Sequence, residues 1–403
     1  MESNKVTRRT FMGGLAAAIS VVATEKEGLT QGRGQRGGGA GAPGAAGAQR
    51  GAAANPAVPN VKLSNNENPY GISDTVKAAM NESFKYGHLY GTPDGGLNEA
   101  LLAYHPGIKR ENILMGSGSG EILHLAGTAF LIDKHKKVVG VEPTYNDVYS
   151  QATNIQAESI RIPLLPDFNQ NIPAIIKAVK LNYREVGLVY ICNPNNPTAM
   201  ILNKKDVKQL LDALPDDVPV LIDEAYHHFV DNPNYESSIQ SVIEGRPVIV
   251  ARTFSKIGGL AAMRLGYAMA RPDLLAEMRR FQSGSINVAV RFAGATVLKD
   301  TEAAARVKKL NTEIRNKTTT ELKGLGFEVL PSDANFFMVG VKREVQGVIE
   351  DFRKKNITVG RPFPPMTQHL RVSVGTQEEM NKFMTAFKEI FTGAKTTAAG
   401  GGN

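Results

Sequence analysis

Cysteine is almost missing: Cys192 is the only one in 403 residues. No disulfide can form within the chain, and the place of Cys192 after the apolar run Val186–Ile191 marks a buried, inert thiol rather than a nucleophile. An excess of charge of one sign is also nearly missing from the body of the chain. The net charge of +8 divides evenly, because residues 1–60 hold seven Lys/Arg against three Asp/Glu and the remainder carries only +4. With no basic cluster interleaved with aromatics, nucleic acid is excluded as a partner. No metal is expected either. The apolar run from Gly13 to Ala23 is about eleven residues, too short for a bilayer core.

That short run follows Thr7-Arg8-Arg9-Thr10-Phe11-Met12. A paired arginine before a brief apolar stretch reads as a twin-arginine export signal over residues 1–27, placing the mature protein outside the cytoplasm, periplasmic or otherwise extracytoplasmic. Membrane attachment would come only through an uncleaved leader. Residues 28–56 are almost entirely Gly, Ala, Gln, Arg and Pro, too poor in large apolar side chains to offset the entropy of ordering, and read as a flexible linker. Residues 394–403 repeat that character as a frayed tail.

Between these lies a globular composition long enough for one large and one small domain. Seven short buried strands are expected at Ile113–Met115, Lys137–Val141, Ser159–Pro163, Val186–Cys192, Val218–Ile222, Val248–Ala251 and Leu265–Met269, mostly separated by helical patterns. The alternation predicts an α/β fold: a large domain over 86–296 with a seven-stranded, mostly parallel sheet flanked by helices, and binding residues at the strands' carboxyl ends. Residues 57–85 and 297–393 form a smaller α+β domain in this reading, with a long helix from Ala303 to Leu322 and strands at Phe327–Leu330, Asn335–Val341, Ile357–Val359 and Leu370–Val374.

The chemistry gathers around Thr253-Phe254-Ser255-Lys256 and Arg264. One amine, two hydroxyls and a guanidinium suit a phosphorylated aldehyde, with the amine as Schiff-base partner and the other groups on the phosphate dianion. Pyridoxal 5'-phosphate is the natural candidate. It also wants a buried carboxylate for its ring nitrogen, a flat face for its ring and donors for its phenolic oxygen, which Asp223, Tyr145, and Asn196 with Tyr226 can supply. Gly116-Ser117-Gly118-Ser119-Gly120-Glu121, between a strand and a helical pattern, can bind phosphate at a helix N-terminus. Read alone, that turn with Glu142 also admits a nicotinamide oxidoreductase, although Glu121 stands where the third glycine of the dinucleotide fingerprint belongs. Arg371, in an apolar strand, requires an anion: a substrate or a carboxylate of the protein itself.

Taken in order, Asn66-Glu67-Asn68-Pro69, Gly118-Ser119-Gly120-Glu121, Pro143-Thr144-Tyr145, Asn193-Pro194-Asn195-Asn196-Pro197-Thr198, Asp223-Glu224-Ala225-Tyr226, Thr253-Phe254-Ser255-Lys256 with Arg264, and Leu370-Arg371-Val372-Ser373-Val374-Gly375-Thr376 resemble the fold type I aminotransferases, in particular the histidinol-phosphate aminotransferase group. The resemblance, from about Leu63 to Phe391, implies transamination between an amino acid or amino-phosphate and a 2-oxo acid. It makes Lys256 the Schiff-base lysine, Asp223 the partner of the pyridinium, Tyr145 the stacking ring, and Asn196 and Tyr226 the partners of the phenolic oxygen. Ser119, Gly120, Thr253, Ser255 and Arg264 hold the phosphate. Arg371, Arg361 and Asn68 meet the substrate, and Tyr90 reaches the neighbouring cofactor in a homodimer with shared sites. There are departures. Ala199 replaces the usual glycine after Asn-Pro-Thr, Tyr90-Gly91-Thr92-Pro93-Asp94 makes Tyr86 a competitor of Tyr90, and apolar Pro362-Phe363-Pro364-Pro365 surrounds Arg361. Arg361 either reads an anionic substrate side chain or turns to solvent and leaves Phe363, Met366 and Tyr70 as an aromatic-accepting pocket. A decarboxylase or lyase on the same scaffold would keep every cofactor contact, and a non-catalytic pyridoxal-binding regulator would need a DNA-binding domain that the leader cannot supply.

Overall fold

The computed structural model describes residues 61–133 and 136–393. The expected leader, linker and tail lie outside the described residues. The described residues form eleven strands: β1 Val61–Leu63, β2 Ile113–Gly116, β3 Lys137–Glu142, β4 Glu158–Pro163, β5 Val186–Cys192, β6 Val220–Asp223, β7 Val248–Thr253, β8 Gly266–Met269, β9 Phe336–Gly340, β10 Ile357–Val359 and β11 His369–Ser373. Seven of them form one sheet in the order β2-β8-β7-β6-β5-β3-β4. Strands β3 to β7 pair in parallel, whereas β8 runs antiparallel to both β7 and β2. The expected seven-stranded, mostly parallel sheet is therefore what forms.

The reason lies in the strand sequences. Every residue of β5, Val-Gly-Leu-Val-Tyr-Ile-Cys, is buried, as expected of a strand covered on both faces by helices. Successive side chains point to opposite faces. Val189 and Ile191 accordingly join one core with Val220, Ile222 and Val250, while Leu188 and Tyr190 join another with Leu221 and Ile249.

A separate apolar cluster gathers Val61, Leu63, Phe337, Val339, Phe352, Leu370, Val372, Phe383 and Phe387. Here β1 pairs in parallel with β10 and β9 pairs antiparallel with β11. The helix Gln377–Thr392 closes this cluster, its start set by a capping box between Thr376 and Glu379.

Two expectations change. Phe327–Leu330 forms no strand, only an isolated bridge between Val329 and Val339; the segment leaves the helix Thr301–Gly324 through Gly326 at φ +81° and meets Pro331 before a ladder can propagate. The helix Asp74–Ser83, expected with the small domain, sends Val76 into the core of the large sheet.

Candidate active site

The carboxyl ends of β5, β6 and β7, the turn after β2, and segments near β1, β10 and β11 enclose a cavity of about 590 Å³. Its wall brings together Ser119, Gly120, Tyr145, Asn196, Asp223, Tyr226, Thr253, Ser255, Lys256, Arg264, Arg361 and Arg371. Twelve of the fourteen residues expected at the site thus share one cavity. Asn68 and Tyr90 do not. Asn68 lines a neighbouring cavity with Tyr70, because its amide is turned away to donate to the carbonyl of Ile257 at 3.0 Å. Tyr90 is fully exposed, in a loop carried away from the cavity of its own chain.

One end of the cavity is a cradle for an anion. The helix Ser119–Leu131 begins there with Gly118 as its cap and no side chain satisfying its first N–H groups, which leaves them and the helix dipole for a negative group. Arg264 lies over this turn so closely that a Cβ at Gly118, whose φ is +81°, would collide with its guanidinium. The guanidinium donates to the carbonyl of Ala261 at 3.0 Å and to Ser255 Oγ at 3.4 Å, both neutral oxygens. Thr253 Oγ1 accepts from the Ser255 N–H at 3.1 Å, so its own proton is free to donate. A guanidinium that bonds only neutral oxygens, two hydroxyls and a helix N-terminus match a phosphate dianion in donor count, with the Asp147 carboxylate alongside at Gly120.

At the end of β6, Asp223 is 2 % exposed and accepts from the Ala225 N–H at 3.1 Å. Burial pushes its carboxyl up to about 7, against the lowering effect of that bond. A buried carboxyl facing the cavity in this way suits a cationic ring N–H. Lys256, following β7, is half-buried with its amine 3.3 Å from the carbonyl of Asn65. Burial first, then the Arg371 charge, lower it to about 8, in the range where an amine can exchange a proton near neutrality. The donor set therefore fits pyridoxal phosphate at three points: phosphate cradle, ring-nitrogen carboxylate and amine.

Arg371, 7 % exposed on β11, answers the question its sequence raised. Its Nη1 donates to Asn196 Oδ1 at 2.8 Å, its Nη2 donates to the Ser64 carbonyl, and its Nε is buried without a partner. No carboxylate faces it. Its guanidinium instead lies over the rings of Phe363 and Phe336, with centroids at 4.7 and 5.6 Å, and burial lowers it to about 10. Arg361 is exposed on the cavity wall and stacks on the same Phe363 at 4.3 Å. The aromatic-accepting alternative does not assemble. Tyr70 lines the neighbouring cavity, Met366 packs with Leu330 and Met338, and only Phe363 borders the site.

Other readings of single segments resolve here. Glu142 pairs with Arg161 at 2.7 Å at the surface and the Gly116–Glu121 turn packs its Gly118 under Arg264, so the dinucleotide reading loses its acidic residue while the turn stays part of the anion cradle. Ala199, in place of glycine, is buried with φ +64°, the left-handed conformation that glycine adopts without strain. The wall also holds Ser64, Asn65, Asn66, Glu67, Gln346 and Arg353, to which no role was assigned from sequence. Asn66 stood inside a recognised motif; nothing in the helix Val345–Lys354 marked its Gln346 and Arg353 for a site.

Comparison with known proteins agrees with this geometry. The chain is 33% identical over 337 residues to the histidinol-phosphate aminotransferase of Moorella thermoacetica, covering 82% of this chain and 85% of that protein. It is 38% identical over 289 residues to the enzyme of that name from Maricaulis maris, covering 70% and 78%. A solved histidinol-phosphate aminotransferase from Sinorhizobium meliloti, in complex with pyridoxal-5'-phosphate, shares the fold with a TM-score of 0.76 at 24% identity, over 83% of this chain and 92% of that one. With residues 58–387 matching the model of aminotransferase class I and II, on a sheet and cavity of this kind, the chain belongs to the class I and II aminotransferases and is a transferase of amino groups.

Proposed function

We propose that this enzyme binds pyridoxal 5'-phosphate and moves an amino group between an amino acid or amino-phosphate and a 2-oxo acid, as a homodimer exported by the twin-arginine route. The observation that carries the reading is a single cavity holding a lowered amine, a raised carboxyl and three arginines, Arg264, Arg361 and Arg371, whose hydrogen bonds go to neutral oxygens. When bound, the cofactor supplies an electron sink for the substrate's α-carbon. The protein does the rest. Ser119, Gly120, Thr253, Ser255 and Arg264 hold the phosphate, Asp223 holds the positive charge of the ring nitrogen, and Tyr145 covers the ring. Asn196 and Tyr226 face the phenolic oxygen. Arg371 binds the substrate carboxylate through both arms of its guanidinium, and Lys256 takes the proton from the substrate's α-carbon and holds it.

Arg361 adds a second cation near Arg371, and the reading follows that the substrate carries an anionic side chain, carboxylate or phosphate. Tyr90, exposed in the single chain, would be buried against the neighbouring subunit's cofactor phosphate. The leader requires Arg8 and Arg9; with both changed to lysine the enzyme should stay inside the cell, and unchanged export would reject that part. The chemistry is tested by adding pyridoxal phosphate, reducing with borohydride and locating the added mass. It should sit on Lys256, and Lys256→Ala should lose both the added mass and transamination. A Lys256→Ala protein that transaminates at the wild-type rate would reject the mechanism.

A further inference from the structure

Asn66 is 1 % exposed and adopts φ +54°, a left-handed conformation that asparagine tolerates better than most residues. It is held there from several sides. Its backbone N–H donates to Ser373 Oγ at 2.8 Å, that hydroxyl donates to Asn66 Oδ1 at 2.8 Å, and Asn335 Nδ2 donates to its carbonyl at 3.0 Å. With Oδ1 engaged, Nδ2 faces the Tyr226 hydroxyl at 3.1 Å. From the other side Asn196 Nδ2 reaches the same hydroxyl at 3.2 Å. The orientation of Asn196 is forced, because its Oδ1 accepts from Arg371 Nη1 at 2.8 Å and a guanidinium has only donors.

We propose that Asn66 is a positioning residue for the reaction: with Asn196 it fills the acceptor capacity of the Tyr226 oxygen and leaves the Tyr226 proton one direction, into the cavity. The assignment rests on the cofactor reading above. Tyr226 then acts as an obligate donor toward an oxyanion at the place where the cofactor's phenolic oxygen would sit. Two lines of hydrogen bonds set this polarity, one from Arg371 through Asn196 and one from Ser373 through Asn66. Burial keeps the phenol neutral by pushing its pKa up, so the proton is present to be given.

The test inverts the polarity. Asn66→Asp keeps size, the left-handed backbone and the acceptor for Ser373, but replaces the N–H facing Tyr226 with an oxygen that takes the phenol's proton away from the cavity. The readout is the pH midpoint of the bound cofactor's visible absorbance, with melting temperature reporting folding. Losing a donor to an oxyanion should raise that midpoint by on the order of one pH unit, and Asn66→Asp should add nothing further in a Tyr226→Phe background. Asn66→Gly, which suits φ +54° and offers neither donor nor acceptor, should shift it less; it serves in place of the aspartate variant should that one fail to fold. An unmoved midpoint in a folded, cofactor-loaded variant would mean that Tyr226 already donates to the Asn66 amide oxygen, and would overturn the assignment. A shift that persists undiminished in the Tyr226→Phe background would overturn it too. Absence of a visible band in the wild type would overturn the cofactor reading and the assignment together, a result distinct from either of these.

Discussion

Arg252 and Arg371 are both buried arginines, 2 % and 7 % exposed, and they differ in what faces them. Arg252 donates through Nε and Nη2 to Glu224 Oε2 at 3.2 and 2.8 Å, and Glu224 accepts further bonds from Ser237 Oγ and the Ser238 N–H. Arg371 faces neutral oxygens and aromatic rings. Glu224 directly follows Asp223 and Arg252 directly precedes Thr253, in strands paired so that Asp223 lies beside Ala251. Because alternate side chains leave opposite faces of a strand, the satisfied pair braces the sheet behind the cavity while Asp223 and Thr253 line it. A buried charge with its partner built in is structure; one without is a place for a ligand.

The largest expected effect tests the braced side. Glu224→Ala leaves Arg252 buried and unpaired, and should cost about 3–5 kcal/mol of unfolding free energy in urea titrations. A loss below about 1 kcal/mol would erase the distinction between the two arginines. On the open side the outcome should reverse. Arg371→Met removes a cation that has no carboxylate, so stability should hold within about 1 kcal/mol or rise, while kcat/KM for substrates bearing an α-carboxylate falls about 10²- to 10³-fold. Arg371→Lys should recover only part of it, since an ammonium cannot reproduce the two-armed geometry.

Asp223 sharpens the comparison through pH. Its carboxyl, raised from 3.8 to about 7 in the fold, is neutral in folded and unfolded protein below pH 3.8. Between 3.8 and about 7 the unfolded chain ionises first, so the wild type loses stability as pH rises through that window. Cofactor-free Asp223→Asn should therefore gain on the wild type across it, to about 2–4 kcal/mol above pH 7, with no gain below 3.8. Lys256, lowered from 10.5 to about 8, behaves in the opposite sense. The penalty for its buried charge is complete below pH 8 and relieved as pH rises to 10.5, so the stabilisation expected of Lys256→Met should fade over that interval in thermal melts. The smallest effect belongs to Arg361, which is exposed and stacked on Phe363. Arg361→Ala should lower kcat/KM about tenfold for donors with a carboxylate or phosphate side chain and leave leucine and phenylalanine unchanged; an equal loss for all donors would remove the anionic-substrate reading.

Most of the site could be read from sequence because its residues hang on strand ends. Asn196, Asp223, Thr253 and Lys256 each follow an apolar run whose length and β-branched content mark a strand, and in a parallel sheet such ends converge. Asn68 was misplaced for the opposite reason. It lies in a turn-rich segment, Asn65-Asn66-Glu67-Asn68-Pro69, where no periodicity says which side chain turns inward. Arg371 announced its need for an anion but not whose anion it was.

The sequence by itself determined the seven-stranded sheet, the chemical groups at its edge and the family they belong to, because these depend on local pattern: buried runs, glycine punctuation and the step from strand into helix. Only the tertiary structure decided that Asn66 rather than Asn68 faces the site, that Glu224 serves Arg252, and that Arg371 meets neutral oxygens and no carboxylate. These outcomes rest on contacts between residues far apart in the chain, Asn66 lying 160 positions from Tyr226 and 307 from Ser373. Hydrogen-bond direction at such contacts follows from the donors and acceptors that packing brings together, and no stretch of sequence contains both.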